Sequence, residues 1–148
     1  MLIALTTLIS CGESITPGKL KGNTYNIDEY YIVDGLDYAT WLNLGDINKN
    51  SFTGVSGTWS FTKDDKSTIN MNYLVPNIFN PEELFQAQLF DVGELVMNGR
   101  QDFFDVDWQN AGYNQYFVAE NGGKTLTIAW DVPIGFEGQV HFIVMTKD

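Results

Sequence analysis

The sequence predicts an all-β protein, an antiparallel meander of about 8–9 strands forming a barrel, with a β-sandwich as second choice and one short helix near residues 81–90. Three observations carry this. Apolar and polar residues alternate with period two over most of the chain. Turn signals rich in Gly, Asn and Asp separate the alternating runs, and few of the connections are long enough for a parallel crossover. Closure removes exposed sheet edges, which favours the barrel.

Taken in order, residues 24–33 and 38–44 make the first two strands. In 57–62, Trp59 and Phe61 share one face and Thr58, Ser60 and Thr62 the other. Lys63-Asp64-Asp65-Lys66 forms a polar turn into a strand that sets Ile69, Met71, Tyr73 and Val75 against Thr68, Asn70 and Asn72. Asn80-Pro81-Glu82-Glu83 has the marks of a helix start: a capping asparagine, proline at the first position, and carboxylates at the positive end of the dipole. Phe85, Ala87 and Leu89 also alternate with Gln86 and Gln88, so a strand is the alternative; the independent start signals favour the helix. Asn98-Gly99 and Asn121-Gly122-Gly123 make two further hairpins, joining 94–97 to 101–108 and 113–120 to 124–131. The last strand, 139–146, pairs with 125–132, where Leu126, Ile128 and Trp130 alternate with Thr125, Thr127 and Ala129.

A chain of 148 residues fits one domain. Its 19 acidic residues outnumber 8 basic ones for a net charge of −11, which repels phosphate backbones and excludes nucleic acid as a partner. From 67 to 123, Arg100 alone stands against Glu82, Glu83, Asp91, Glu94, Asp102, Asp105, Asp107 and Glu120, so this surface stays off anionic lipid. Aromatics at 14% and charged residues at 18% exclude a disordered chain. One cysteine excludes an internal disulfide or a thiolate zinc site.

Residues 2–9 are an apolar run too short to span a bilayer and of the length of an export-signal core. The run ends at Leu8-Ile9-Ser10-Cys11, which resembles the lipobox of bacterial lipoproteins. The resemblance implies a signal peptide over 1–10, lipidation of Cys11, and a place in the bacterial cell envelope, exported and anchored to the outer membrane or cell surface. No Lys or Arg precedes Cys11, where a signal normally carries positive charge. Residues 11–22, rich in Gly, Ser and Pro, have the composition of a flexible tether, and 23–148 remain for the domain.

Gly57-Thr58-Trp59 opening a strand, the polar hairpin after it, and the closing strand 139–147 are together similar to lipocalin-like domains of secreted bacterial lipoproteins. In lipocalins the glycine-x-tryptophan lies on the first barrel strand; here two expected strands precede it. The resemblance implies a barrel that binds a small or extended ligand without transforming it.

Catalytic candidates are few. His141, the single histidine, sits in an alternating strand and reads as solvent-facing or capped by a neighbour. Asp105 and Asp107, two apart on one strand, share a face with Phe103 and have the spacing of a glycosidase pair, although a solvated outer face is the favoured reading. Asp46, Asn48 and Asn50 present alternate oxygens as a calcium loop does, but Ser51 and Gly57 replace the required glycine and glutamate, so an Asx-rich turn is favoured over a calcium site. Trp41, Trp59, Trp108 and Trp130 all fall on expected strands; they pack the core of a narrow barrel, or line a ligand pocket in a wide one. The leading expectation is therefore a non-catalytic binding domain on a lipid anchor. The alternatives are a structural or interaction lipoprotein that contacts an envelope protein or a glycan, and a carboxylate-based hydrolase.

Overall fold

The computed structural model describes residues 17–34, 49–96, 102–122, 124–131 and 139–148. Alternation in these segments becomes β1 (Asn23–Asp34), β2 (Lys49–Ser51), β3 (Thr53–Phe61), β4 (Lys66–Pro76), β5 (Leu84–Val96), β6 (Phe103–Trp108), β7 (Gly112–Gly122), β8 (Thr125–Asp131) and β9 (Gln139–Lys147), preceded by a one-turn helix α1 (Pro17–Leu20). Strands β3 to β9 pair in sequence, each antiparallel to the next, and β1 bridges β3 and β9. The sheet is therefore a closed eight-stranded barrel, not a sandwich.

The remaining strand, β2, lengthens one wall. Because β9 occupies one side of β1 from Tyr25 to Asp34, β2 pairs with β1 on the side that β3 takes lower down. Phe52 lies between β2 and β3, and its N–H bonds the Tyr30 carbonyl at 2.9 Å, so the two act as one interrupted strand. A bulge between Ile27 and Glu29 in β1 absorbs the change of register.

Inward side chains fill the closed end. Trp59, Phe61, Met71, Phe104, Val106, Ile128, Ile143 and Met145 are fully or almost fully buried, with Phe61 and Phe104 edge to face at 5.7 Å and 88°. Helix α1 covers this end: Leu20 is wholly buried, and the Gly22 N–H bonds the Phe61 carbonyl at 2.7 Å. Part of the wall is apolar on its outward face too. There Tyr31 stacks on Phe142 at 4.9 Å beside Val33, Ala129 and Val140, which is why β9 reads Phe142-Ile143-Val144 without strict alternation.

One expectation changes. The helix near 81–90 is a strand: β5 starts at Leu84 and pairs with β4 from Pro76↔Leu84 to Lys66↔Glu94. Its expected start is instead the hairpin turn, where Glu83 N–H bonds the Asn80 carbonyl at 2.9 Å and the Phe79 N–H bonds Asn77 Oδ1 at 2.9 Å. Asn and Pro favour turns as strongly as helix starts, and a ten-residue helix without an apolar face to bury is marginal, whereas the ladder with β4 satisfies a long backbone. Residues 17–22 pack against the barrel through Leu20 and Gly22. The strand expected over 38–44 lies outside the described residues.

Candidate functional site: an aromatic cavity in the barrel

Side-chain parity along the strands sends Trp59 of β3, Trp108 of β6, Tyr116 of β7 and Trp130 of β8 into the barrel. They converge on a partly open cavity of about 110 Å³, completed chiefly by Ile69, Leu89 and Asp91. Trp59 meets Tyr116 edge to face at 5.1 Å and lies 5.9 Å from Trp108. Each indole N–H is used: Trp59 Nε1 donates to Ser67 Oγ at 2.8 Å, and Trp108 Nε1 donates to the Tyr116 hydroxyl at 2.7 Å. The lining thus presents ring faces and aliphatic groups rather than free donors.

Asp91 is the carboxylate in this lining, and its charge is already spent. It accepts from the backbone N–H of Ala111 at 2.9 Å, Asn110 at 3.2 Å and Val92 at 2.9 Å, and from Asn110 Nδ2 at 3.1 Å. Burial of the Tyr116 hydroxyl, the largest influence on it, pushes its pKa well above the ordinary tyrosine value, so the phenol stays neutral.

Above the cavity, toward the end opposite α1, a second aromatic layer surrounds Tyr30. Its ring lies between Phe52 (4.5 Å, 14°) and Trp130 (6.2 Å, 5°), with Tyr73 edge-on at 5.1 Å. His141 stacks on Trp130 at 5.3 Å, and its Nδ1 shares a 2.7 Å hydrogen bond with the Tyr30 hydroxyl. Burial, aided by Tyr73, also pushes the Tyr30 hydroxyl pKa well up. Trp130 belongs to both layers, since it walls the cavity and caps the stack, and it is half-buried where Trp59 and Trp108 are buried.

Three of the four tryptophans, candidates for core packing or for pocket lining, are thus brought together; Trp41 lies outside the described residues, as do Cys11, Asp46 and Asn48. Asn50 sits exposed on β2 opposite Ile32. Asp105 and Asp107 point away from the cavity. Asp105 is 3% exposed and accepts a hydrogen bond from the Tyr113 hydroxyl, while Asp107 is exposed beside Glu94 and Lys66 in a shallow outer groove. A pair in which one member is buried under a tyrosine does not flank a common substrate. Tyr30, Phe52, Tyr73, Tyr116 and Asp91 escaped the sequence reading; parity with Trp108 and Trp130 was the available signal for Tyr116.

No protein-family model matches this chain, and no curated protein matches it. Among solved structures it is similar to apocrustacyanin C1, with 14% identity over 81% of this chain and 58% of that one at a TM-score of 0.41. It is also similar to apocrustacyanin C2, with 15% identity over 86% of this chain and 61% of that one at a TM-score of 0.37. The chain therefore spans about three fifths of those proteins, and the barrel assignment rests on its own closed sheet.

Proposed function

We propose that this chain is a lipid-anchored envelope protein whose lipocalin-like barrel binds a small, apolar, ring-bearing molecule without transforming it. The observation that carries the binding reading is Trp130, which walls the cavity and continues into the aromatic layer around Tyr30, so that a ligand seated in the cavity meets ring faces on several sides. Size narrows the ligand. Drug-sized molecules fill pockets of roughly 300–1,000 Å³, whereas a void of about 150 Å³ takes a single benzene ring. A cavity of about 110 Å³ is smaller than either, but it is partly open, so it takes part of one small ring or the end of a longer apolar ligand, with the remainder lying against Trp130. Binding rather than turnover follows from the lining, whose carboxylate, Asp91, is engaged by N–H groups instead of poised for proton transfer.

Titration with single-ring and alkyl-ring compounds, followed by tryptophan fluorescence, tests this. Saturable quenching is expected, weakened about tenfold by Trp130→Ala, in line with the loss of one or two aromatic contacts. Absence of saturable binding across both series overturns it.

The anchor rests on Leu8-Ile9-Ser10-Cys11. Mass spectrometry of the membrane fraction should find Cys11 acylated and residues 1–10 removed, and Cys11→Ala should release the protein into the soluble fraction. An unprocessed chain refutes the anchor and leaves the binding reading untouched.

A further inference from the structure

Strand β5 outruns its neighbour on one side. β4 pairs with it from Leu84 to Glu94, but β6 pairs only from Gly93 to Val96, and the Gln109 N–H to Val92 carbonyl bond of 2.9 Å ends that ladder. Among the described residues, 84–90 has no strand on its second edge. The direction of the free groups follows from the same bonds. Leu95 N–H and the Glu83 carbonyl bond toward β4, while the Val92 carbonyl bonds toward β6, so odd positions serve β4 and even positions face outward. Leu84, Gln86, Gln88 and Phe90 thus aim N–H and C=O groups away from β4, where no strand receives them among the described residues.

An exposed edge of this kind recruits another strand. Its sequence, Leu84-Phe85-Gln86-Ala87-Gln88-Leu89-Phe90, is close to a palindrome about Ala87. We infer that this edge binds the same edge of a second copy, as an antiparallel β5–β5 pair on a two-fold axis through Ala87. In that register Gln86 faces Gln88, Leu84 faces Phe90 and Phe85 faces Leu89 across the axis, so amide meets amide and apolar meets apolar. The even residues oppose one another as hydrogen-bonded pairs, as their outward groups require. Ala87 opposes its own copy at the non-bonded position, where strands approach most closely and a small side chain fits.

Charge selects the same partner. In a chain of net charge −11, residues 84–90 carry none, so this edge sets no like charges against one another when two copies pair. Two copies that each carry a net charge of −11 repel one another, which makes the pair tighten with salt, whereas a basic partner would be lost with salt. Leu84, Phe85 and Phe90 are each about half exposed, at 49%, 50% and 55%. With the backbone edge they offer roughly 500 Å² per copy, near the lower bound of a stable interface, so the expected dimer is weak and concentration-dependent.

Sedimentation velocity over low to high micromolar protein, with and without added salt, reads the outcome. The wild type should pass from monomer to dimer with concentration, more readily in salt. Gln86→Lys with Gln88→Lys sets like charges opposite each other and should weaken the dimer about tenfold or more, although it lowers the net negative charge. Gln86→Lys with Gln88→Glu sets opposite charges in register and should keep it. A wild type that stays monomeric, a dimer weakened by salt, or equal behaviour of the two double variants overturns the proposal. Ligand titrations of the monomer report on the cavity independently.

Discussion

Trp108 Nε1 donates a 2.7 Å hydrogen bond to the hydroxyl of Tyr116, eight residues on and one strand over, and both rings wall the cavity. The bond is buried, so neither partner has water as a substitute. Tyr116→Phe leaves the indole N–H without an acceptor and should cost about 1–3 kcal/mol. Urea unfolding should show a lower midpoint at unchanged slope, because the exposed surface is the same. No loss of stability would mean that water reaches Trp108.

Asp91 of β5 fastens the turn that joins β6 to β7. Its carboxylate collects the N–H groups of Asn110 and Ala111, while the Asn110 amide adds a further bond. Hydrogen bonds to a charged group are worth about 1.5–3 kcal/mol apiece but do not add in full, so Asp91→Ala should cost about 3 kcal/mol and Asp91→Asn, which keeps one acceptor oxygen, about half of that. Hydrogen exchange should speed up at Asn110 and Ala111 in both variants before it changes at the buried core of β8.

How much of this was legible depends on whether the information is local. Alternation over 57–62 and 67–75 marks the inward face of the hairpin because parity alone decides it, and the same parity sends Trp59, Trp108 and Trp130 inward. The turn at Asn80-Pro81 was misread because those residues serve a helix start and a hairpin equally; the deciding contact, β4, lies outside the window. Helix α1 is a single turn, shorter than any detectable period. The layer around Tyr30 was hidden for a different reason: it exists because β1 closes on β9, bringing Tyr30 to His141 across 111 residues. No local pattern records that closure.

Alkali should unfold the protein through its buried phenols. Burial raises the pKa of Tyr25, Tyr30 and Tyr116, while the unfolded chain ionises near the ordinary tyrosine value of 10.0. The native state therefore holds its protons more tightly. Its full stability is present below about pH 10 and is lost as pH rises beyond it, by up to about 1.4 kcal/mol per pH unit for each tyrosine. Urea midpoints measured from neutral to strongly alkaline pH should stay level and then fall, and Tyr116→Phe should make the fall shallower. A midpoint that does not respond to pH in this range would show that the phenols ionise in place.

Gly57 and Gly54 offer a controlled pair in one strand. Both adopt positive φ, +139° and +62°, which disfavours a side chain at either. They differ in what a Cβ would strike. At Gly57 it would lie 2.0 Å from the Asn70 carbonyl oxygen and 2.8 Å from Met71 Cα, and these are backbone atoms fixed by the β3–β4 ladder. At Gly54 the nearest atoms, 2.8 and 2.9 Å away, belong to the side chain of Leu74, which is half-buried and can turn aside. Gly54→Ala should therefore cost about 1–2 kcal/mol, the penalty of the left-handed conformation. Gly57→Ala adds the separation of two strands beside the buried Trp59 and should cost about 4 kcal/mol or more, a size reserved for backbone and core disruption. Thermal unfolding of the two variants orders them; equal losses would mean that β3 shifts along β4 at no cost, contrary to the burial of Trp59 and Met71 on either side of the contact.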